Sequence, residues 1–154
     1  SVECNFILTH PMSCGVVLIT FGRRVSMMTN IELCKAMYTS FESGDMETWR
    51  TLVSANCVLV ISGNLPISGT FNGPDDAIEN CFSAWGEHYS NLSFSDLKFW
   101  ECGDTVFAES NVVGGGLPSE GVLEIHRITI ENSKIVEFRD YFDTAPYAAM
   151  LEKK

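Results

Sequence analysis

Residues 134–143 alternate as a β-strand does, and this stretch constrains the fold more than any other. In a strand, successive side chains point to opposite faces of the sheet. One face is mostly wettable and carries Ile135, Glu137, Arg139, Tyr141 and Asp143. The other face is apolar except for one carboxylate and carries Val136, Phe138, Asp140 and Phe142. Because an unpaired buried carboxylate costs several kcal/mol, Asp140 needs a partner, such as Arg127 or Arg139, or a polar cavity.

The segment before residue 90 predicts helices. Thr29 and Glu32 fit a capping box, apolar residues follow at helical spacing, and Gly44 ends the helix. Asp45 predicts a second helix to about Ser54, and a buried strand covers residues 57–61. After a turn-rich stretch, Pro74 starts a third helix. The apolar residues of these helices include Tyr38, Phe41, Trp49, Phe82 and Trp85.

From Asn91 onward the hydrophobic period changes from 3.6 to 2, which predicts a run of antiparallel strands. The alternation changes parity near Ser95, which indicates a β-bulge. Thr144, as a possible N-cap, and Pro146 predict a short terminal helix. Helices followed by strands give an α+β domain, with Asp140 pointing into an apolar interior between the layers.

Composition narrows the class of partner and compartment. The chain has 154 residues and a net charge of −10, which argues against nucleic acid and anionic membranes. No apolar run approaches the roughly 20 residues of a membrane span, and the basic pair near residue 23 follows the apolar run instead of preceding it as in a signal peptide. Six cysteines without a C-x-x-C pair favour free thiols in the cytoplasm.

Residues 1–27 differ from the rest in charge and lack helical periodicity. We therefore expect an N-terminal extension at 1–27 and one domain at 28–154.

Three motifs carry a family resemblance: residues 41–45 (FESGD), 68–74 (SGTFNGP) and 133–143 (SKIVEFRDYFD). Over about residues 28–143 the chain resembles the nuclear transport factor 2-like superfamily, within it the SnoaL-like polyketide cyclases. The resemblance implies a cone-shaped, barrel-like domain, in which a curved sheet wraps about three helices around an apolar pocket, and a homodimer. It does not settle the reaction, because this fold hosts isomerases, cyclases, hydrolases and non-catalytic proteins.

Two family activities lack their residues here. Limonene-epoxide hydrolases resemble the chain at Asp140, but they need an Arg-x-Asp pair where this chain has Ser110 and Val112, and water-positioning groups near Leu59 and Ile61. Ketosteroid isomerases need acids near Ile61 and Ile125 and a tyrosine near Met37; all three positions are apolar here, although Tyr38 is adjacent to one.

SnoaL-type cyclases fit better, because their catalytic Asp and His match Asp140 and His126. A plain two-residue turn at Asn132 and Ser133 would put His126 on the face opposite Asp140. A bulge at Ser133 or Lys134 would bring His126, Glu124 and Asp140 onto one face. His126 could equally be a structural histidine, and Asp143 is more typical of a helix cap.

The sequence and the resemblance together predict cofactor-independent acid/base chemistry on a hydrophobic carbonyl compound. Asp140 would move a proton next to the carbonyl, and His126 would assist it or hydrogen-bond the enolate oxygen. No metal or other cofactor is expected. The predicted substrate-binding residues are Glu124, Tyr38, Trp49, Phe82, Trp85, Phe138 and Phe142. The alternatives are a non-catalytic binding or assembly module and an epoxide hydrolase with a rearranged site.

Overall fold

A computed structural model describes residues 28–89 and 91–152 of the chain. The predicted extension at 1–27 lies outside the described residues. The helical elements are α1 (Asn30–Ser43), α2 (Met46–Leu52), α3 (Gly73–Asp76), a π-helix (Ala77–Phe82), α4 (Ser83–His88) and α5 (Ala145–Leu151). The strands are β1 (Val53–Ile61), β2 (Gly69–Asn72), β3 (Leu92–Cys102), β4 (Thr105–Gly114), β5 (Val122–Glu131) and β6 (Lys134–Phe142).

Helix α1 begins and ends as the sequence predicts. The Glu32 backbone N–H donates to Thr29 Oγ1 at 3.2 Å, and the Thr29 N–H donates to Glu32 Oε2 at 2.8 Å, which completes the capping box. Gly44 closes the helix with a φ of 72°, a conformation that favours glycine. These caps set the position from which α1 directs Tyr38 and Phe41 towards the sheet.

Helix α2 is shorter than predicted. Asp45 accepts from the Thr48 N–H at 3.0 Å as expected, but the helix stops at Leu52. Val53 is already extended because it pairs with Ile135 of β6. This long-range pairing outweighs the local helical signal, so β1 also starts earlier than the predicted 57–61 strand.

The helical segment that follows β2 contains a π-helix. Its i→i+5 pattern is seen in the bond from the Ser83 N–H to the Ile78 carbonyl. Such wide turns are frequent at functional sites. The extra residue alters the helical phase between Cys81 and Trp85, and both still face the interior of the domain together with Phe82. The short strand β2 was not predicted, because it lies in a stretch dominated by turn residues.

The sheet has six strands in the order β2-β1-β6-β5-β4-β3 and confirms the α+β class. β1 and β6 are parallel, whereas the other neighbouring pairs are antiparallel, so the sheet is mixed. The helices cover its concave face and enclose the core. The parallel contact places Ile61 opposite Asp140, and Ser62 Oγ donates to the Asp140 backbone carbonyl at 2.6 Å.

Two β-bulges adjust the register of the sheet. The bulge predicted near Ser95 is confirmed by a register shift between Ser95 and Lys98. Between β5 and β6 the turn is the two-residue type, with Asn132 and Ser133 both at positive φ. The register then shifts where Ile130 pairs with Ile135 and Thr129 pairs with Glu137, so Val136 is the extra residue.

The bulge at Val136 corrects two sequence predictions. The extra residue lies inside the strand and not at Ser133 or Lys134. The alternation also predicts Ile135 on the wettable face, which is wrong: Ile135 is buried, because the bulge reverses the alternation after it. Beyond the bulge, Phe138 and Asp140 share the inner face, as the alternation predicts.

The outer face of the sheet carries exposed aromatic and aliphatic side chains. Trp100 and Phe107 lie opposite each other on β3 and β4, and Leu123 and Tyr141 are exposed on β5 and β6. The homodimer implied by the resemblance stays a prediction. Within the described part of the chain, the helices are too short or too polar to cross a membrane.

Two glycines provide a matched test of this backbone. An added Cβ would meet no described atom within 4 Å at Gly44 or at Gly86, but only Gly44 has a positive φ. We expect Gly44→Ala to lower the free energy of unfolding by about 1 kcal/mol. Gly86→Ala, in the regular helix α4, should raise it by roughly 0.5–1 kcal/mol. Urea unfolding of both variants measures this, and a change of the same sign in both would contradict it.

Candidate active site

An apolar cavity of about 70 Å³, here called the inner chamber, lies between the helices and the concave face of the sheet. Most of the predicted site residues line it: Tyr38, Trp49, Phe82, Trp85, Phe138, Glu124, His126 and Asp140. Phe142 does not line the chamber; its ring packs against Tyr147 at 5.0 Å between centroids. The sequence analysis did not assign the further wall residues, which include Met37, Phe41, Leu59, Ile61, Ile67, Cys81 and Phe94.

The two adjacent strands β5 and β6 bring the polar residues together. His126 and Asp140 are directly paired across the sheet, because the Val136 bulge shifts the register by one residue. Glu124, two residues before His126, therefore points to the same inner face. The three side chains are buried, at 1% exposure for Glu124 and His126 and 5% for Asp140.

Asp140 does not pair with an arginine. Arg127 and Arg139 both bind Glu137, with Arg139 Nε donating to Glu137 Oε1 at 2.8 Å. These three residues alternate with the inward-facing ones and form an outer-face cluster. The partner of Asp140 is instead His126, whose Nε2 lies 3.1 Å from Asp140 Oδ1.

The two carboxylates beside His126 are not equivalent. Nε2 lies 3.2 Å from Glu124 Oε2 in hydrogen-bond geometry. Asp140 Oδ1 is as close, but it has no aligned donor among the described residues. A single Nε2–H cannot point at both oxygens. We therefore assign the better-aligned hydrogen bond to Glu124 and treat Asp140 as a close ion-pair partner of the same N–H group.

Two tyrosines complete the network. The Tyr38 hydroxyl of α1 hydrogen-bonds His126 Nδ1, and the Tyr147 hydroxyl of α5 donates to Glu124 Oε1. Both ring nitrogens of His126 are thus occupied by protein groups. The sequence places Tyr147 in the predicted terminal helix but assigns it no functional role. The only available signal was that a tyrosine on an apolar helix face needs a partner for its hydroxyl.

The carboxylates control the charge of His126. Burial by itself lowers the pKa of His126, but the nearby Asp140 and Glu124 outweigh it and raise the pKa to about 9. Burial raises the pKa of Glu124. Burial, followed by the negative charge of Asp140, raises the pKa of the Tyr38 hydroxyl well above its usual value. The imidazolium consequently donates both N–H groups, and the Tyr38 proton is left free to point into the chamber.

Other chemistries find less support at this site. Burial raises the pKa of the Cys81 thiol to about 12, so a nucleophilic thiolate is scarce at neutral pH. Ligand atoms of Glu124, His126 and Asp140 all lie within 4.8 Å of one another, a spacing that one cation could bridge. From the sequence we expect no metal at this site. That expectation stays a prediction, which a metal titration can test.

The end of β6 also differs from the sequence prediction in one detail. Thr144 makes no side-chain cap for α5. Asp143 Oδ1 instead accepts from the Ala145 N–H at 3.0 Å, which fits its predicted role as a helix cap. Ile125, near which ketosteroid isomerases need an acid, is only partly buried, because it alternates with the inward-facing Glu124 and His126. The acid that β5 does direct into the chamber is Glu124, one position before Ile125.

A curved, open sheet around a buried acid–histidine cluster defines a nuclear transport factor 2-like cone. The chain belongs to the SnoaL-like domain family, whose model matches residues 34–138. No curated protein matches the chain.

Solved structures share the fold. A nuclear transport factor 2-like protein from Burkholderia thailandensis is 22% identical, with a TM-score of 0.72 over 81% of this chain and 98% of its own. TerC, co-crystallised with polyporic acid, is 23% identical, with a TM-score of 0.68 over 80% and 98%. A Catenulispora acidiphila protein with a ketosteroid isomerase-like fold, in complex with trimethylamine, is 18% identical, with a TM-score of 0.64 over 80% and 95%.

The charge of His126 predicts how stability depends on pH. The folded pKa of about 9 lies above the usual 6.5, so this contribution is complete below pH 6.5 and is lost as the pH rises through 9. Its full size is on the order of 3 kcal/mol. We expect the free energy of unfolding, measured in urea from pH 6 to 10, to fall over this range.

Two variants isolate this effect from other alkaline titrations. Glu124→Gln removes one carboxylate that raises the His126 pKa, so the fall should move to lower pH. Glu137→Gln makes the same charge change on the outer face and should leave its position unchanged. An identical pH profile in wild type and Glu124→Gln would contradict the assignment. NMR titration of the imidazole provides a direct second readout.

Proposed function

We propose that the protein is a cofactor-independent isomerase- or cyclase-like enzyme that acts on a hydrophobic carbonyl compound, with Asp140 as its acid/base. One observation carries this proposal: Asp140 lines an apolar chamber with Oδ1 in no hydrogen bond from the described chain. A carboxylate that is buried but not saturated with donors keeps a lone pair for proton transfer. Glu124 cannot take this role, because His126 and Tyr147 occupy its oxygens.

The proposed reaction is proton transfer through an enolate. The Asp140 carboxylate takes a proton from the carbon next to the carbonyl, and the C–H electron pair forms the C=C bond while the negative charge moves to oxygen. The Tyr38 O–H donates a hydrogen bond to that oxygen. Asp140 then returns the proton to the same or a conjugated carbon. Atoms and electrons balance, and no further reactant is consumed.

His126 acts through its neighbours in this scheme. Its two nitrogens face Tyr38 and the carboxylates, so a direct hydrogen bond to the enolate would require one of them to be displaced. As an imidazolium it polarises the Tyr38 hydroxyl and lies 3.1 Å from Asp140 Oδ1. This is a positioning and electrostatic role.

The alternatives fit the chamber less well. The residues at the positions where epoxide hydrolases position water, Leu59 and Ile61, form apolar parts of the wall. Ser110, where their Arg-x-Asp pair begins, is buried opposite Glu124. A non-catalytic binding module would use the same chamber. It is distinguished by whether the bound ketone exchanges protons.

Enolisation can be tested without knowing the natural substrate. In D₂O, NMR should show protein-catalysed exchange of the protons next to the carbonyl of a bicyclic ketone such as 2-tetralone. Asp140→Asn should reduce this rate by roughly 10²-fold or more, because the amide cannot accept the proton. Asp143→Asn, the same substitution three residues away on an exposed cap, should retain the wild-type rate. A wild-type exchange rate in Asp140→Asn would contradict the role of Asp140 as acid/base.

Tyr38 should contribute as an oxygen-binding donor. Tyr38→Phe keeps the ring but removes the hydroxyl, and we expect the turnover rate to fall by roughly 10²-fold with little change in KM. Tyr147→Phe removes a donor to Glu124 that does not reach the chamber. It should shift the His126 titration but reduce turnover much less. Equal losses in the two variants would assign Tyr38 a structural role.

A further inference from the structure

A second cavity adjoins the inner chamber. This outer groove has a volume of about 820 Å³ and opens between the end of α1, the π-helix with α4, and the start of β3. Four aromatic residues line both cavities: Phe41, Phe82, Trp85 and Phe94. These rings, here called the constriction, separate the two neighbouring spaces.

Phe41 lies at the centre of the constriction. Its ring contacts Phe82 at 4.9 Å, Phe94 at 6.1 Å and Trp85 at 6.2 Å between centroids. Three different elements hold these partners, since Phe82 ends the π-helix, Trp85 belongs to α4 and Phe94 to β3. The rings form a contact layer between the outer groove and the chamber that Asp140 lines.

The volumes determine how much of a ligand each cavity can hold. Ligand pockets usually measure about 300–1,000 Å³. The inner chamber, at about 70 Å³, is too small for a multi-ring molecule, whereas the outer groove, at about 820 Å³, is within the usual range. A hydrophobic substrate that reacts at Asp140 must therefore place only its reactive end inside the chamber.

The charges of the groove exclude one class of ligand. The described chain contributes no Lys or Arg to the walls of either cavity, whereas Glu42 and Glu79 line the groove. Asp140 and Glu124 add negative charge further in, against one imidazolium. An anionic group at the far end of a ligand would meet repulsion without a compensating cation.

We propose that the outer groove is the second half of the substrate site: it binds the apolar body of an elongated ketone whose far end carries no negative charge, while the carbonyl end passes the constriction to Asp140. This inference rests on the proposed function for the identity of the reactive end. The size and charge inferred for the rest of the substrate come from the volume and the wall residues of the outer groove.

Blocking the groove tests this inference by binding alone. Gly86 lines the groove and has space for a side chain, so Gly86→Trp should fill part of it. We expect the Kd of 2-acetylnaphthalene, measured by calorimetry, to rise about tenfold or more. Glu87→Trp, one residue further on the same helix and outside the groove wall, should change it less than about twofold. Ser83→Trp, also on the wall, is the second blocking variant should Gly86→Trp fail to fold.

A matched anion tests the charge assignment. In wild type, 6-acetyl-2-naphthoic acid, which carries a carboxylate at the far end, should bind about tenfold more weakly than 2-acetylnaphthalene. Glu79→Gln should recover part of this difference. Equal affinity for the two compounds, wild-type affinity in both blocking variants, or no binding of 2-acetylnaphthalene to wild type would each overturn the inference.

The outcomes separate this inference from the proposed function. An unchanged His126 titration in the Trp variants shows that the inner chamber is intact, so a loss of affinity then belongs to the groove. Binding with the expected pattern but without proton exchange refutes the enzyme and leaves the two-part site standing. Proton exchange that is insensitive to Gly86→Trp and Ser83→Trp refutes the two-part site and leaves the enzyme standing.

Discussion

The buried contact between His126 and its two carboxylates is the interaction on which the rest of the structure depends. Charges inside an apolar cone are stable only when they are paired and hydrogen-bonded. Removing one partner from such a cluster typically costs about 3–5 kcal/mol, because the others stay buried without compensation. Helices α1 and α5 each contribute a tyrosine to this network, so the position of both helices on the sheet is tied to the charge at its centre.

The network also explains how three acidic or basic groups divide their tasks. Glu124 receives hydrogen bonds from His126 and Tyr147, which makes it a fixed counter-charge. Asp140 shares the electrostatic field of His126 without taking its proton. Pairs of titratable groups in unlike surroundings are a usual sign of acid/base assignments. Glu124 and Asp140 differ because the Nε2–H bond of His126 is aligned with Glu124 and not with Asp140.

Much of the fold follows from local signals in the sequence. The caps at Thr29 and Gly44 and the bulge near Ser95 are confirmed, because each depends on nearby residues alone. The early start of β1, the strand β2 and the parallel contact of β1 with β6 depend on distant pairing. The π-helix could not be predicted, because its extra residue per turn produces no recognisable local sequence pattern. The location of the β6 bulge at Val136 could not be predicted either, since a turn and a strand interior can absorb an extra residue equally well.

The candidate site follows the same division between local and distant information. The alternation of β6 and the resemblance identified Asp140 and His126, and most of the aromatic wall residues were apolar at helical spacing. The sequence assigns no role to Tyr147, and Phe142 packs on Tyr147 instead of lining the chamber, because the surroundings of both depend on how α5 docks onto the end of the sheet. The split between an inner chamber and an outer groove depends on ring orientations, which no spacing rule contains.

The parallel contact of β1 with β6 has a consequence for the order of folding. Ser62 and Asp140 are 78 residues apart in sequence, yet the Ser62 hydroxyl binds the backbone of Asp140. Closing so long a loop is entropically costly, and structures rich in such contacts fold slowly. The strand that bears Asp140 can be seated against β1 only after nearly the whole domain has been synthesised. Burial of the charged cluster is therefore a late event in folding, and a chain truncated before β6 would lack the strand that carries Asp140.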